Sequence, residues 1–234
     1  MRKPMAKSKK IEKFIQVTVD GLVIIGLVLI FGKKSWWPSF YQPVYFGLTF
    51  LTSAALIILS QFIFKAPDSR RQEAIMFFRF GLTAALALNA LGELCFYPLY
   101  RYGIQYDKMI HFANSFLFVA ALTSFYEKWH NLNLGRALKI AAIVVFVGGL
   151  LWEVFEFSSD LFFKTSVFGV YGQFRGADTI FDVASDLLGL TAGLIFVSWR
   201  GWRNLFNKLI GYRRGPALSK ILTAGSCSPN LAAK

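Results

Sequence analysis

Charge is scarce in this sequence: Asp, Glu, Lys and Arg make up 17% of 234 residues, against 55% hydrophobic side chains. Soluble domains carry about a quarter charged residues, and a mean hydropathy of +0.47 excludes that class. Acid is scarcer still, with 13 Asp and Glu against 26 Lys and Arg and a net charge of +13. In a soluble chain that surplus would suggest nucleic acid, but here the cations flank apolar runs, so no nucleic-acid partner is expected. There are two cysteines, Cys95 and Cys227, placed toward opposite ends of the membrane plan below, which excludes an internal disulfide framework. No CxxC pair, glycine-rich phosphate loop or haem motif is present.

What is abundant is long apolar runs. A helix needs about 20 such residues to cross the hydrocarbon layer, and six stretches qualify: 14–31, 44–64, 75–97, 108–126, 137–157 and 180–199. The chain is expected to be an all-α, polytopic membrane bundle of about six transmembrane helices. Twenty of the 26 Lys and Arg fall on one side of this plan and six on the other, namely Lys33, Lys34, Arg101, Lys108, Lys164 and Arg175. Cytoplasmic loops retain positive charge, so both termini are expected inside, in a multi-pass protein of the plasma (inner) membrane. The first run leads into Gly32 and Lys33 without a small-residue cleavage pattern and reads as an uncleaved helix. The plan has a basic segment over 1–13, a membrane domain over 14–199 and a basic tail over 200–234, whose WRGWRNLFNKLIGYRR stretch can lie along the inner surface.

The placement of the acids is the functional signal. Eight of the 13, Glu93, Asp107, Glu153, Glu156, Asp160, Asp178, Asp182 and Asp186, fall at the expected outer ends of the last four helices. The uncharged stretches 140–152 and 187–199 are 13 residues each, or about 20 Å, so part of the hydrocarbon depth must hold carboxylates. Each costs roughly 2.5–3.5 kcal/mol there unless it faces a hydrated or paired interior. Asp178, Asp182 and Asp186 step by four along one helix face, with Gly189 and Gly193 continuing the stripe as positions for close helix approach. Glu153, Glu156 and Asp160 follow i, i+3, i+7, and Asp107 with His111 follows i, i+4. A plain alternative is that these acids only neutralise outer-face cations, but eight carboxylates exceed the four cations near them.

Such a site predicts chemistry on a lipid or lipid-linked envelope substrate, with membrane lipids as the surrounding partner. His111, Asp107, Glu153 and Asp182 are the catalytic candidates: His111 as general acid or base, with Asp107 orienting its second ring nitrogen. Lys108 and Arg175 are placed to hold a phosphate, with Glu93 and Tyr97 as a further wall of the substrate site. Glu153, Glu156, Asp178, Asp182 and Asp186 form a ligand set for a divalent metal: Mg²⁺, Ca²⁺ or Mn²⁺ by their hard oxygens, Zn²⁺ less favoured with a single His. Two other classes fit the composition: a proton- or cation-coupled transporter, and a non-catalytic envelope subunit that binds a head group. His130 reads as a solvated loop residue, Cys95 as packing, and Ser158 and Ser159 lack a nucleophile-elbow context.

The segment YDKMIHFANSF at Tyr106, WEVFE at Trp152 and RGADTIFDVASDLLGLTAG at Arg175 resembles the VanZ-like superfamily of small membrane proteins, and also YjdF-type inner-membrane proteins. The likeness covers about residues 106–193. It implies that Asp107, Lys108, His111, Phe112, Glu153, Arg175, Asp178, Asp182 and Gly189 occupy the family's motif positions. The chain departs from the pattern at Glu156, where the family has Gln, and at Asp186, where it has Asn; the DTIFD spacing is closer to the YjdF type. The resemblance implies an outer-face membrane site and an envelope role, and names no reaction.

Overall fold

Hydrocarbon offers backbone N–H and C=O groups no water, so a spanning segment must satisfy them within itself, and a helix does so. The computed structural model describes residues 6–37, 42–63, 68–163 and 175–199, and all regular structure among them is helical. The six long helices are α1 (Ala6–Phe31), α2 (Pro43–Ile63), α3 (Ser69–Leu91), α4 (Tyr106–Trp129), α5 (Leu134–Phe163) and α6 (Arg175–Ser198). Each contains a stretch long and apolar enough to cross a membrane.

Four helices have boundaries that differ from expectation in ways that matter. The first helix starts at Ala6, ahead of Phe14, because its basic residues continue the helix beyond the apolar run. Helix α5 extends to Phe163 and α6 begins at Arg175, so every acid from Glu153 to Asp160 and from Asp178 to Asp186 lies on regular helix. Helix α3 starts earlier, at Ser69, where the Asp68 side chain accepts the Arg71 N–H at 2.8 Å as an N-cap. It then loosens into a π-helical turn over Gly92–Phe96 and a 3₁₀ segment over Tyr97–Tyr102.

Small residues set the packing. Helices α1 and α2 form an antiparallel pair in which a Cβ on Gly26 would lie 3.0 Å from the Gly47 carbonyl oxygen; Leu22, Leu29, Phe50 and Ile57 fill the core beside it. Gly81 of α3 faces Ala121 of α4 across a second antiparallel seam. Half of the apolar window of α4 is buried, against 17–33% for the other spans, so α4 is the central rod. Helices α4 and α6 run parallel, because α5 crosses back between them. Outward residues of α5 and α6 such as Ile143, Leu151, Val154, Ile180, Phe181, Leu188 and Ile195 are exposed, which suits lipid contact rather than water. The tail at 200–234 and its amphipathic stretch lie outside the described residues, as does Cys227.

Candidate functional site

The parallel α4–α6 seam creates the site. A Cβ on Gly189 would overlap the Phe112 carbonyl, and one on Gly193 would lie 3.2 Å from both the Phe116 carbonyl oxygen and Val119. The two glycines let the helices close, and that contact carries the acids of the preceding turns of α6 onto the first turns of α4. Lys108 meets them: its Nζ lies 2.5 Å from Asp178 Oδ1, 2.6 Å from Asp182 Oδ1 and 3.2 Å from Asp107 Oδ2. An ammonium has three N–H donors, and these three carboxylates take them all.

His111, one turn further in, is 5% exposed. Its Nδ1 lies 3.3 Å from Asp186 Oδ2, and the other oxygen of Asp186 accepts the Ser115 hydroxyl at 2.7 Å. Gly149 of α5 makes room for this pair, since a Cβ there would stand 2.6 Å from Asp186 Oδ2. That contact orients the ring and turns Nε2 toward three more carboxylate oxygens: Asp182 Oδ1 at 3.7 Å, Asp107 Oδ1 at 3.9 Å and Glu153 Oε1 at 3.9 Å. All three lie outside hydrogen-bond reach.

Helix α5 supplies the remaining wall. Glu153 is 6% exposed, and neither of its carboxylate oxygens has a hydrogen-bond partner. Glu156, one turn along and equally buried, accepts the Trp152 indole N–H at 2.7 Å. Two groups of donors are close enough to share a metal ion, Asp107–His111–Asp182 and His111–Glu153–Glu156, with His111 common to both.

Of the expected site residues, Asp107, Lys108, His111, Glu153, Glu156, Asp178, Asp182 and Asp186 come together. Their division of labour differs from the sequence reading. Asp186, not Asp107, orients the second ring nitrogen of His111, because α6 delivers it there and Ser115 fixes it. Lys108 spends its donors on carboxylates, and Asp178 is occupied with Lys108. Glu93 accepts the Thr49 hydroxyl of α2 at 2.8 Å, and the Tyr97 hydroxyl lies 3.5 Å from Asn89 Oδ1, forming a second polar group at the α2–α3 seam. Helix α2 thus contributes a polar side chain to this seam. The side chains of Arg101 and Arg175, and Lys164 entirely, fall outside the described residues. His130 is exposed beyond the end of α4, and the Ser158 hydroxyl bonds back to the Val154 carbonyl.

Ser115, Gly149 and Trp152 were not singled out from the sequence. Each had a signal: Ser115 lies four residues after His111, Gly149 four before Glu153 and Trp152 four before Glu156, on shared helix faces. Thr49 had none, because its contact is made across 44 residues of chain.

Neither a curated protein nor a solved structure matches this chain. A family model does, over residues 19–203, a span that takes in the second half of α1, all of α2 to α6 and every residue of the cluster. On that match the chain belongs to the family described as "Predicted membrane protein (DUF2238)".

Proposed function

We propose that this integral membrane protein is an enzyme of the cell envelope whose acidic cluster acts on a lipid or lipid-linked substrate. The observation that carries the reading is Glu153: a carboxylate buried among other acids, with no hydrogen bond at either oxygen and its Oε1 3.9 Å from His111 Nε2, too far for a direct hydrogen bond. Leaving such groups unpaired costs about 1–3 kcal/mol each, more when charged. That expense is understandable where an incoming group completes the bonding. Glu153 is the proton-exchanging group in this reading. Asp107 and Asp182 flank the reacting position, His111 faces it, and Asp186 with Ser115 holds the ring. Lys108 keeps the acids in place, and Arg175 is the residue assigned to an anionic head group.

Access from the bilayer supports a lipid-borne substrate. A groove of about 600 Å³ runs beside the start of α4, lined by Ile104, Met109, Phe112 and Ala113 with Lys108 along it. Met109 and Phe112 are exposed on the flank of α4 and Ile104 just before it, and Lys108 is the cluster residue on this shallow depression, so in this reading a lipid-borne group would approach the acids past Lys108. The Lys and Arg distribution supports an outward-facing cluster with both termini cytoplasmic, and the likeness to VanZ-like and YjdF-type proteins agrees with an envelope role.

The test is turnover. The full chain in bilayer discs is incubated with glycerolipid and polyprenyl phosphates and diphosphates, and products are followed by mass spectrometry. The expected result is consumption of one class, abolished by Glu153→Gln and Asp182→Asn in protein that remains folded. Uptake driven by a pH gradient in proteoliposomes, with no turnover, would replace this reading with a transporter. Binding of a lipid without either would leave a head-group-binding subunit.

A further inference from the structure

We infer that a divalent metal ion binds between His111 Nε2, Asp107 Oδ1 and Asp182 Oδ1, with Glu153 on its open side. The inference deepens the enzyme reading by naming the cofactor of the same cluster, and it rests on that reading only for what the ion does.

The geometry carries it. Around Nε2 stand three carboxylate oxygens at 3.7–3.9 Å, contributed by three different helices. That spacing leaves room for a cation between Nε2 and the oxygens: ligands around a four-coordinate ion at 2.0–2.2 Å stand about 3.3–3.6 Å apart, so these N···O separations close on such an ion with shifts of a few tenths of an ångström, and on a six-coordinate ion such as Mn²⁺ with somewhat larger ones. Lys108 offsets part of the charge on Asp107, Asp178 and Asp182, but with its three donors engaged it does not enter the space beside Nε2. Among the described residues, Asp107, Asp178 and Asp182 share Lys108, and Asp107, Glu153, Asp182 and Asp186 stand around His111, so an anionic phosphate would meet this cluster more favourably across a bound metal. Glu153 is the independent sign of a ligand: it is 6% exposed, neither oxygen has a hydrogen bond and Oε1 lies 3.9 Å from Nε2, so it is placed to accept from water on the ion.

The surroundings match a metal ligand's support. A ligating histidine almost always donates its other N–H to a carboxylate or carbonyl, which fixes ring and tautomer; Asp186, held by Ser115 and admitted by Gly149, is placed to do this. One imidazole with several carboxylates selects an oxygen-preferring ion that tolerates a nitrogen ligand, of which Mn²⁺ is the type.

Mn²⁺ is also the probe. The full chain, stripped with chelator and placed in bilayer discs, is titrated with Mn²⁺ and followed by electron paramagnetic resonance. One bound ion per chain is expected, with nitrogen modulation from a coordinated imidazole. His111→Gln should remove that modulation, Asp182→Asn should weaken binding at least 100-fold, and Asp186→Asn should weaken it about 10–100-fold with the modulation kept. Glu73→Gln, at the other end of the bundle, should change nothing. Unfolding midpoints near wild type establish that each variant is folded. If the folded wild-type chain takes up neither Mn²⁺ nor Zn²⁺, or binds with an affinity indifferent to His111→Gln and Asp182→Asn, the inference is overturned. A bound ion without lipid-phosphate turnover removes only the enzyme reading; turnover by the stripped protein removes only the metal.

Discussion

Lys108 and Lys128 lie at opposite ends of α4 with the same side-chain exposure, 17%, yet they sit in different electrostatic worlds. Lys128 pairs with Glu73 at 3.2 Å, while nearby Arg70 bonds Asn131 and the Glu127 carbonyl. Lys108 is divided among three carboxylates, with more acids behind them and Glu153 left unpartnered. The difference teaches that burial of charge is not the signature of this site. One end pairs Lys128 with Glu73; the other gathers six carboxylates around one lysine and one histidine, and in the reading proposed here that crowding is where a ligand binds.

The comparison breaks most sharply at Lys108. Lys108→Met leaves Asp178 and Asp182 without their cation in a low-dielectric seam, and removing one partner of a buried ion pair costs about 3–5 kcal/mol. Thermal unfolding in detergent should show that loss, and saturating Mn²⁺ should restore part of it. Next comes the seam itself. Gly189→Ala puts a Cβ into the Phe112 carbonyl, and overpacking of this kind costs roughly 1–3 kcal/mol. It should also spread α4 from α6, so metal binding should fall even though no ligand is changed. Glu153→Gln goes the other way. Replacing an unpartnered buried carboxylate by its neutral isostere should leave the unfolding midpoint unchanged or raise it, by on the order of 1 kcal/mol, while turnover is lost. A drop in stability there would mean that Glu153 is structurally paired and would remove the carrying observation of the functional reading.

Much of this was legible in the residues because both periodicities involved are local. Six apolar runs translate directly into six spanning helices, and the i, i+4 steps of Asp178, Asp182 and Asp186 into one stripe with Gly189 and Gly193 below it. The convergence of α4, α5 and α6 was an expectation from the shared depth of their acids. What spacing could not supply is which side chain meets which across helices. The register of α6 on α4 is set by the contact between Gly189 and the Phe112 backbone, and that register gives Asp186 to His111 and engages Lys108 fully. The π-helical turn at Gly92–Phe96 had no apolar break to reveal it. The Glu93–Thr49 bond depends on how α2 docks, which hydropathy does not encode.

The smallest effect expected is at the other lysine, and it is the control that gives the first its meaning. Lys128→Met removes the same charge from the same helix at the same side-chain exposure. Lys128 is in the last turn of α4, though, and Glu73 in the second turn of α3, where water at the helix ends can resolvate the abandoned carboxylate. Its contribution is that of a peripheral ion pair plus a cation at a helix C-terminus, together about 1 kcal/mol. Unfolding of the two variants under identical conditions measures the gap directly. If Lys128→Met costs as much as Lys108→Met, then shared carboxylates confer nothing beyond ordinary pairing, and the acidic end loses its claim to be special.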